Sequence, residues 1–318
     1  MSKIEEIAQG VLNGDRRSIA RAITIIENDA PEAKRLIAKI YPHTGKAHII
    51  GLTGPGGSGK STLIDKIVRE YRRRGKTVGV VAVDPTSPFT GGAFLGDRIR
   101  MQELSTDEGV FIRSMATRNY PGGIAKATRD AVKILDAAGK DIVIVETVGA
   151  GQSEVEIIKV AETIVVIHAP GLGDDIQAIK AGLMEIADIF VVNKADRENA
   201  EKAVTDIQAM LQLNTKEKAW KPPVLRTVAL TGEGVPQLIE KLEEHRNFLK
   251  KEKFEERSLL RAETELAEAI KEKAVNSIIE ELKREGKFQE TLQKIIAKEI
   301  DPASVAEELL HSKFKKEK

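Results

Sequence analysis

Residues Gly54-Pro55-Gly56-Gly57-Ser58-Gly59-Lys60-Ser61-Thr62 restrict what this chain can become more than any other stretch. They spell Gly-x-x-x-x-Gly-Lys-Ser, with a short apolar-rich run at 47–51 in front and a helical pattern over 60–74 behind. A strand, a glycine-rich turn and a helix in that order make a phosphate-binding loop. Glycines let the backbone close round an anion with no Cβ in the way. The loop N–H groups and the helix N-terminus then face the β-phosphate, and the helix dipole adds to the attraction. All nine residues are candidates for nucleotide contact. Lys60 is expected on the β- and γ-phosphate oxygens, and the Ser61 hydroxyl on Mg²⁺.

The surrounding pattern suits such a loop. Apolar runs at 77–83, 141–145, 163–167 and 186–192, with a weaker one at 223–228, alternate with helical patterns such as 123–138 and 197–213. Continuous rather than alternating apolar runs belong to strands buried on both faces. The expected fold is α/β, a doubly wound and mostly parallel sheet with its ligand at the carboxyl ends of the strands. Residues 1–45 read as a helical extension, with Asp15 capping the second helix and Pro31 early in the third. The nucleotide domain is expected over 46–248. Beyond it, 249–318 is a charged helical arm with apolar positions such as Leu259, Leu266, Ile270 and Val275. Such an arm has little core of its own and either folds back on the domain or pairs with a second copy; pairing, giving a homodimer, is the expectation, because its stripes need a partner and the sheet's faces already have helices.

Further motifs fall at the strand ends. Asn193-Lys194-Ala195-Asp196 directly follows the run ending at Val192. A carboxylate at Asp196 can accept from both the N1–H and the N2 amine of guanine, which adenine lacks, so the ligand expected is GTP or GDP rather than ATP. The Lys194 stem is expected along the base, and the Asn193 amide is expected to tie this loop to the phosphate loop. Val228-Ala229-Leu230 is placed for a backbone N–H contact to the guanine O6. In Glu146-Thr147-Val148-Gly149, Gly149 can offer an N–H to the γ-phosphate, and Glu146 can act on Mg²⁺ or its waters. Asp84 and Asp97, after the run 77–83, are further candidates for the metal's surroundings.

Composition narrows the alternatives. The 318 residues contain no cysteine, which excludes disulfides and thiolate metal sites. The five histidines are scattered, and a net charge of +1 gives no bulk attraction to nucleic acid or membrane. No apolar run approaches a membrane span. The first residues are acidic and amphipathic rather than signal-like, so a cytoplasmic protein is expected.

Several long stretches together resemble one family. They are Val83-Asp84-Pro85-Thr86-Ser87, Leu95-Gly96-Asp97-Arg98, Phe111 to Arg118, Val145 to Glu154 and Gly173 to Lys180. The chain resembles the MeaB/ArgK/MMAA family of P-loop GTPases, chaperones of adenosylcobalamin-dependent methylmalonyl-CoA mutase once described as arginine/ornithine transport kinases. That resemblance implies GTP hydrolysis coupled to loading or protecting the cobalamin cofactor of an acyl-CoA mutase. It also implies a cytoplasmic homodimer joined through the C-terminal helices. Asp174 and Lys180 match positions that couple the mutase to hydrolysis, so Lys180 joins Lys60, Glu146 and Gly149 as a catalytic candidate. Ala150 stands where Ras-type GTPases place a water-orienting Gln, which points to slow intrinsic turnover. An ATP-dependent kinase of the transport type and a nickel-insertion GTPase are the alternatives. Asp196 argues against the first, and the lack of cysteine and of a histidine cluster against the second.

Overall fold

The computed structural model describes residues 2–84, 103–116, 126–147, 156–171, 181–213 and 219–315. They fall into two compact units, Met1–Phe254 and Glu255–Lys318. The first unit is built on seven strands: β1 (His48–Thr53), β2 (Val78–Asp84), β3 (Val110–Ala116), β4 (Ile142–Glu146), β5 (Thr163–His168), β6 (Ile189–Asn193) and β7 (Val224–Thr227). Every pairing is parallel, in the order β3-β2-β4-β1-β5-β6-β7. β1 is central, with β4 and β5 on either side of it. β4, β5 and β6 are buried along their whole length, as their unbroken apolar runs require.

Helices cover both faces of this sheet. One face carries α1 (Lys3–Leu12), α2 (Arg16–Glu27), α3 (Ala33–Ile40), α5 (Lys126–Ala137) and α7 (Ala200–Leu213) in a single hydrophobic cluster with Val81, Val143, Val145 and Phe190. The other carries α4 (Lys60–Arg73) and α8 (Val235–Phe248), which bury Leu63, Ile67, Leu238 and Leu242 against Ile50, Ile144 and Val165. The short helix α6 (Ala181–Ile186) precedes β6. The N-terminal helices therefore share the core of the nucleotide domain. Each buried aliphatic side chain there contributes roughly 1.5–3 kcal/mol of transfer free energy.

Local signals explain the helix starts. Ser2 and Glu5 form a reciprocal capping box on α1, and the Asp15 carboxylate accepts from the Ser18 N–H at 2.7 Å to open α2. Helix α3 begins at Ala33, so Pro31 lies before it rather than inside its first turn. Strand β3 was not anticipated, because Arg113 and Ser114 interrupt its apolar run. It is an edge strand, and the Arg113 guanidinium pairs with Glu27 at the end of α2. At the start of α2, Arg16 donates to the carbonyls of Ser105, Asp107 and Val110 in the turn entering β3.

The second unit contains most of α9 (Phe254–Arg284), then α10 (Lys287–Ile296) and α11 (Pro302–Lys315). Leu259, Leu266, Ile270 and Ile296 are exposed on these helices. Among the described residues, no helix is long and apolar enough to cross a membrane.

Candidate functional site

The order of strands creates the site. From β1 the chain moves to β2, β3 and β4 on one side and to β5, β6 and β7 on the other, so the carboxyl end of β1 opens on a crevice at the point of reversal. The glycine-rich loop leaves β1 there. Gly54 has φ 142° and lies so close to β5 that a Cβ would sit 2.0 Å from the Ile167 carbonyl oxygen. Gly59 has φ 89°, and a Cβ on it would meet the Asn193 amide nitrogen at 2.4 Å. Both positions require glycine for backbone angle and for space. The loop leads straight into the N-terminus of α4, the end of a helix whose dipole favours an anion.

Lys60 is buried, and its Nζ donates to the carbonyls of Gly54 at 2.9 Å and Pro55 at 3.2 Å. The ammonium is thus held along the inside of the loop, as a phosphate-binding lysine must be. Ser61 Oγ donates to Glu146 Oε1 at 2.8 Å, with both residues buried. A serine hydroxyl and a carboxylate side by side at a helix N-terminus are the hard oxygen donors that Mg²⁺ takes beside nucleotide phosphates, so these residues fit that ion. The longer Glu146 side chain at the end of β4 reaches Ser61 directly.

The segment that follows β6 is joined to the glycine-rich loop through Asn193. Its Nδ2 donates to the Ser58 carbonyl at 2.8 Å, while its Oδ1 accepts from the Ala229 N–H at 3.0 Å and from Thr227 Oγ1 at 3.1 Å. One buried amide therefore ties together the phosphate loop, the end of β6 and the end of β7. Lys194 takes a left-handed conformation at φ 57° and donates from Nζ to the Gly57 carbonyl at 2.6 Å. This bends the chain so that Asp196 stands exposed at the rim. Val228 and Ala229 are buried, and Leu230 is 78% exposed beside them.

The structure thus brings Gly54 to Thr62, Glu146, Asn193 to Asp196 and Val228 to Leu230 to one edge of the sheet. Asp84 ends β2 at the same edge. Asp97, Gly149, Asp174 and Lys180 lie outside the described residues. Sequence reasoning missed Thr227, whose hydroxyl orients Asn193, and Thr53 and Thr147, whose hydroxyls meet at 2.9 Å. The signal was a threonine closing β1 and β7 and another directly following β4.

The family profile described as "Methylmalonyl Co-A mutase-associated GTPase MeaB" matches residues 19–283. The chain belongs to the MeaB family. Two relatives named as GTPases are close over nearly the whole length. One from Pyrococcus horikoshii is 54% identical over 98% of both chains. One from Pyrococcus abyssi is 52% identical over 96% of both. The crystal structure of a LAO/AO transport system kinase superposes with a TM-score of 0.73 at 26% identity, covering 99% of this chain and 98% of that one. This member of the MeaB family is a P-loop GTPase, with a guanine nucleotide as its ligand.

Proposed function

We propose that this protein is a Mg²⁺-dependent GTPase that gates the loading or protection of adenosylcobalamin on a B12-dependent acyl-CoA mutase of the methylmalonyl-CoA mutase type. It works as a cytoplasmic homodimer joined through 249–318. The observation that carries the guanine-nucleotide part is the Asn193 amide, which bonds the Ser58 carbonyl at 2.8 Å and the Ala229 N–H at 3.0 Å. Base recognition and phosphate grip are thereby parts of one frame. The family description supports the mutase part.

Phosphoryl transfer to water asks for positioning and charge stabilisation more than for covalent chemistry. Lys60 moves its charge from the loop carbonyls onto the β- and γ-oxygens. Ser61 would hold Mg²⁺ and Glu146 would hold it directly or through its waters; the ion would supply further neutralisation of the phosphate charge. Asp196 would accept from N1–H and the N2 amine of guanine, and the Leu230 N–H is the donor left for O6, since that of Ala229 is given to Asn193 Oδ1. Gly149 offers its N–H to the γ-phosphate. With Ala150 in place of a water-orienting Gln, intrinsic turnover is slow, and the partner accelerates it by bringing Lys180 or another donor to the γ-phosphate.

The test is phosphate release from GTP with and without a B12-dependent acyl-CoA mutase. A rise of tenfold or more at saturating mutase, lost in Lys180→Ala, is expected. Turnover that does not respond to saturating mutase contradicts the chaperone assignment.

A further inference from the structure

We propose that Thr53 and Thr147 are a positioning pair for GTP hydrolysis. Thr53 closes β1 just before the phosphate-binding loop, and Thr147 follows Glu146 where β4 ends. Both are buried, at 0% and 2% exposure. Thr147 Oγ1 donates to Thr53 Oγ1 at 2.9 Å, and the Thr147 N–H donates to the Leu52 carbonyl at 3.1 Å. The same hydroxyl lies 3.5 Å from that carbonyl. The contact with Thr53 is the shorter by 0.6 Å and is the principal bond of this hydroxyl.

The consequence is one extra rung on the β1–β4 ladder, beyond the pairing of Leu52 with Glu146, with a side-chain bridge across it. One step along the chain from Thr53 is Gly54, whose carbonyl holds Lys60 Nζ at 2.9 Å. One step back from Thr147 is Glu146, whose carboxylate receives Ser61 Oγ at 2.8 Å. The bridge therefore stands between the two side chains that handle the phosphate and metal charge and sets their separation.

Packing alone does not call for hydroxyls here. Valine has the same shape, and Val166, which β5 pairs with Thr53, is apolar. Two buried hydroxyls cost desolvation that chiefly their mutual bond offsets. What they add over two methyl groups is direction: a fixed line between strand ends that must hold their spacing while charge shifts on the phosphates. Neither threonine is assigned a contact with nucleotide, so the pair acts through Glu146 and Lys60. The inference rests on the GTPase reading of the site.

The test uses the full chain with Thr147→Val, Thr53→Val, the double variant and Thr147→Ser. Turnover, KM, thermal unfolding and fluorescent GDP affinity with and without Mg²⁺ are measured for each. Thr147→Val is expected to lower kcat about tenfold with KM within about twofold, and to reduce severalfold the gain in GDP affinity that Mg²⁺ brings. Thr147→Ser keeps wild-type kcat, KM and the Mg²⁺-linked gain in GDP affinity, with a small loss of thermal stability from the deleted methyl. The double variant regains thermal stability, since both partners are gone, but not kcat. Wild-type kcat in Thr147→Val, or a kcat that recovers with stability in the double variant, overturns the inference while the GTPase reading stands. A wild-type chain that binds GDP but releases no phosphate from GTP overturns both.

Discussion

Protonation at single buried groups sets how this protein responds to acid. His48 is fully buried at the start of β1, its Nε2 bonded to Thr163 Oγ1 at 2.7 Å. Thr163 Oγ1 also meets His245 Nδ1 at 2.8 Å, and His245 Nε2 lies 3.2 Å from Asp188 Oδ1. Burial pushes the His48 imidazole down to about 3 from 6.5, helped by the nearby positive charges of Arg246 and Lys250. The folded protein thus excludes a proton that the unfolded chain takes up below about pH 6.5. Stability is complete above that pH and falls as pH drops toward 3, by about 2 kcal/mol at pH 5 from this group alone. In His48→Gln, the difference in urea unfolding free energy between about pH 7.5 and about pH 5 is expected to shrink by that amount. An unchanged difference contradicts the assignment. At this scale legibility followed sequence distance. Lys60 and Ser61 were readable because their motif is contiguous. The Thr53–Thr147 bond joins residues 94 apart, and only the sheet order brings them together. Arg72, near the end of α4, is a like case: its guanidinium bonds Asp107 at 2.9 Å in the turn before β3, 35 residues away.

Elements are held at the far end of the sheet by devices unrelated to nucleotide. The Asp136 carboxylate, at the end of α5, accepts from the N–H groups of Gly45, Lys46 and Ala47 and so fixes the entry to β1. Asp136→Ala leaves three donors without this acceptor, and a loss of about 3 kcal/mol in chemical denaturation is expected. GTP affinity of the folded protein is expected to stay at the wild-type value. A lower affinity with full stability contradicts the separation of anchor and site. Most strands were legible because burial on both faces demands an unbroken apolar run. β3 was not, because an edge strand needs no such run and Arg113 serves α2 instead. Trp220 is a similar case: its indole N–H donates to the Asp188 carbonyl at 2.8 Å and its ring packs 4.8 Å from His245, a role that no local pattern announces.

For the whole molecule, the doubly wound sheet was legible from the alternation of strand and helix patterns, and the all-parallel order adds where the crevice opens. How the arm 249–318 is used is a matter of assembly. Leu259, Leu266 and Ile270 are 70%, 62% and 59% exposed, and a partner copy would cover them. Light scattering at micromolar concentration is expected to give about twice the chain mass of 34.8 kDa. Leu259→Lys with Leu266→Lys is expected to give the single-chain mass without weakening GTP binding. A wild-type protein at single-chain mass contradicts pairing through the arm. Every role assigned above needs a guanine nucleotide that spans the sheet edge from Lys60 to Asp196. Competition of GTP, ATP and XTP for the wild type and for Asp196→Asn tests it most directly, because XTP carries a carbonyl where GTP carries the N2 amine. The wild type should prefer GTP to ATP by at least about a hundredfold, and Asp196→Asn should lose about a hundredfold for GTP while gaining XTP. An Asp196→Asn protein that keeps the wild-type order of preference would contradict the account.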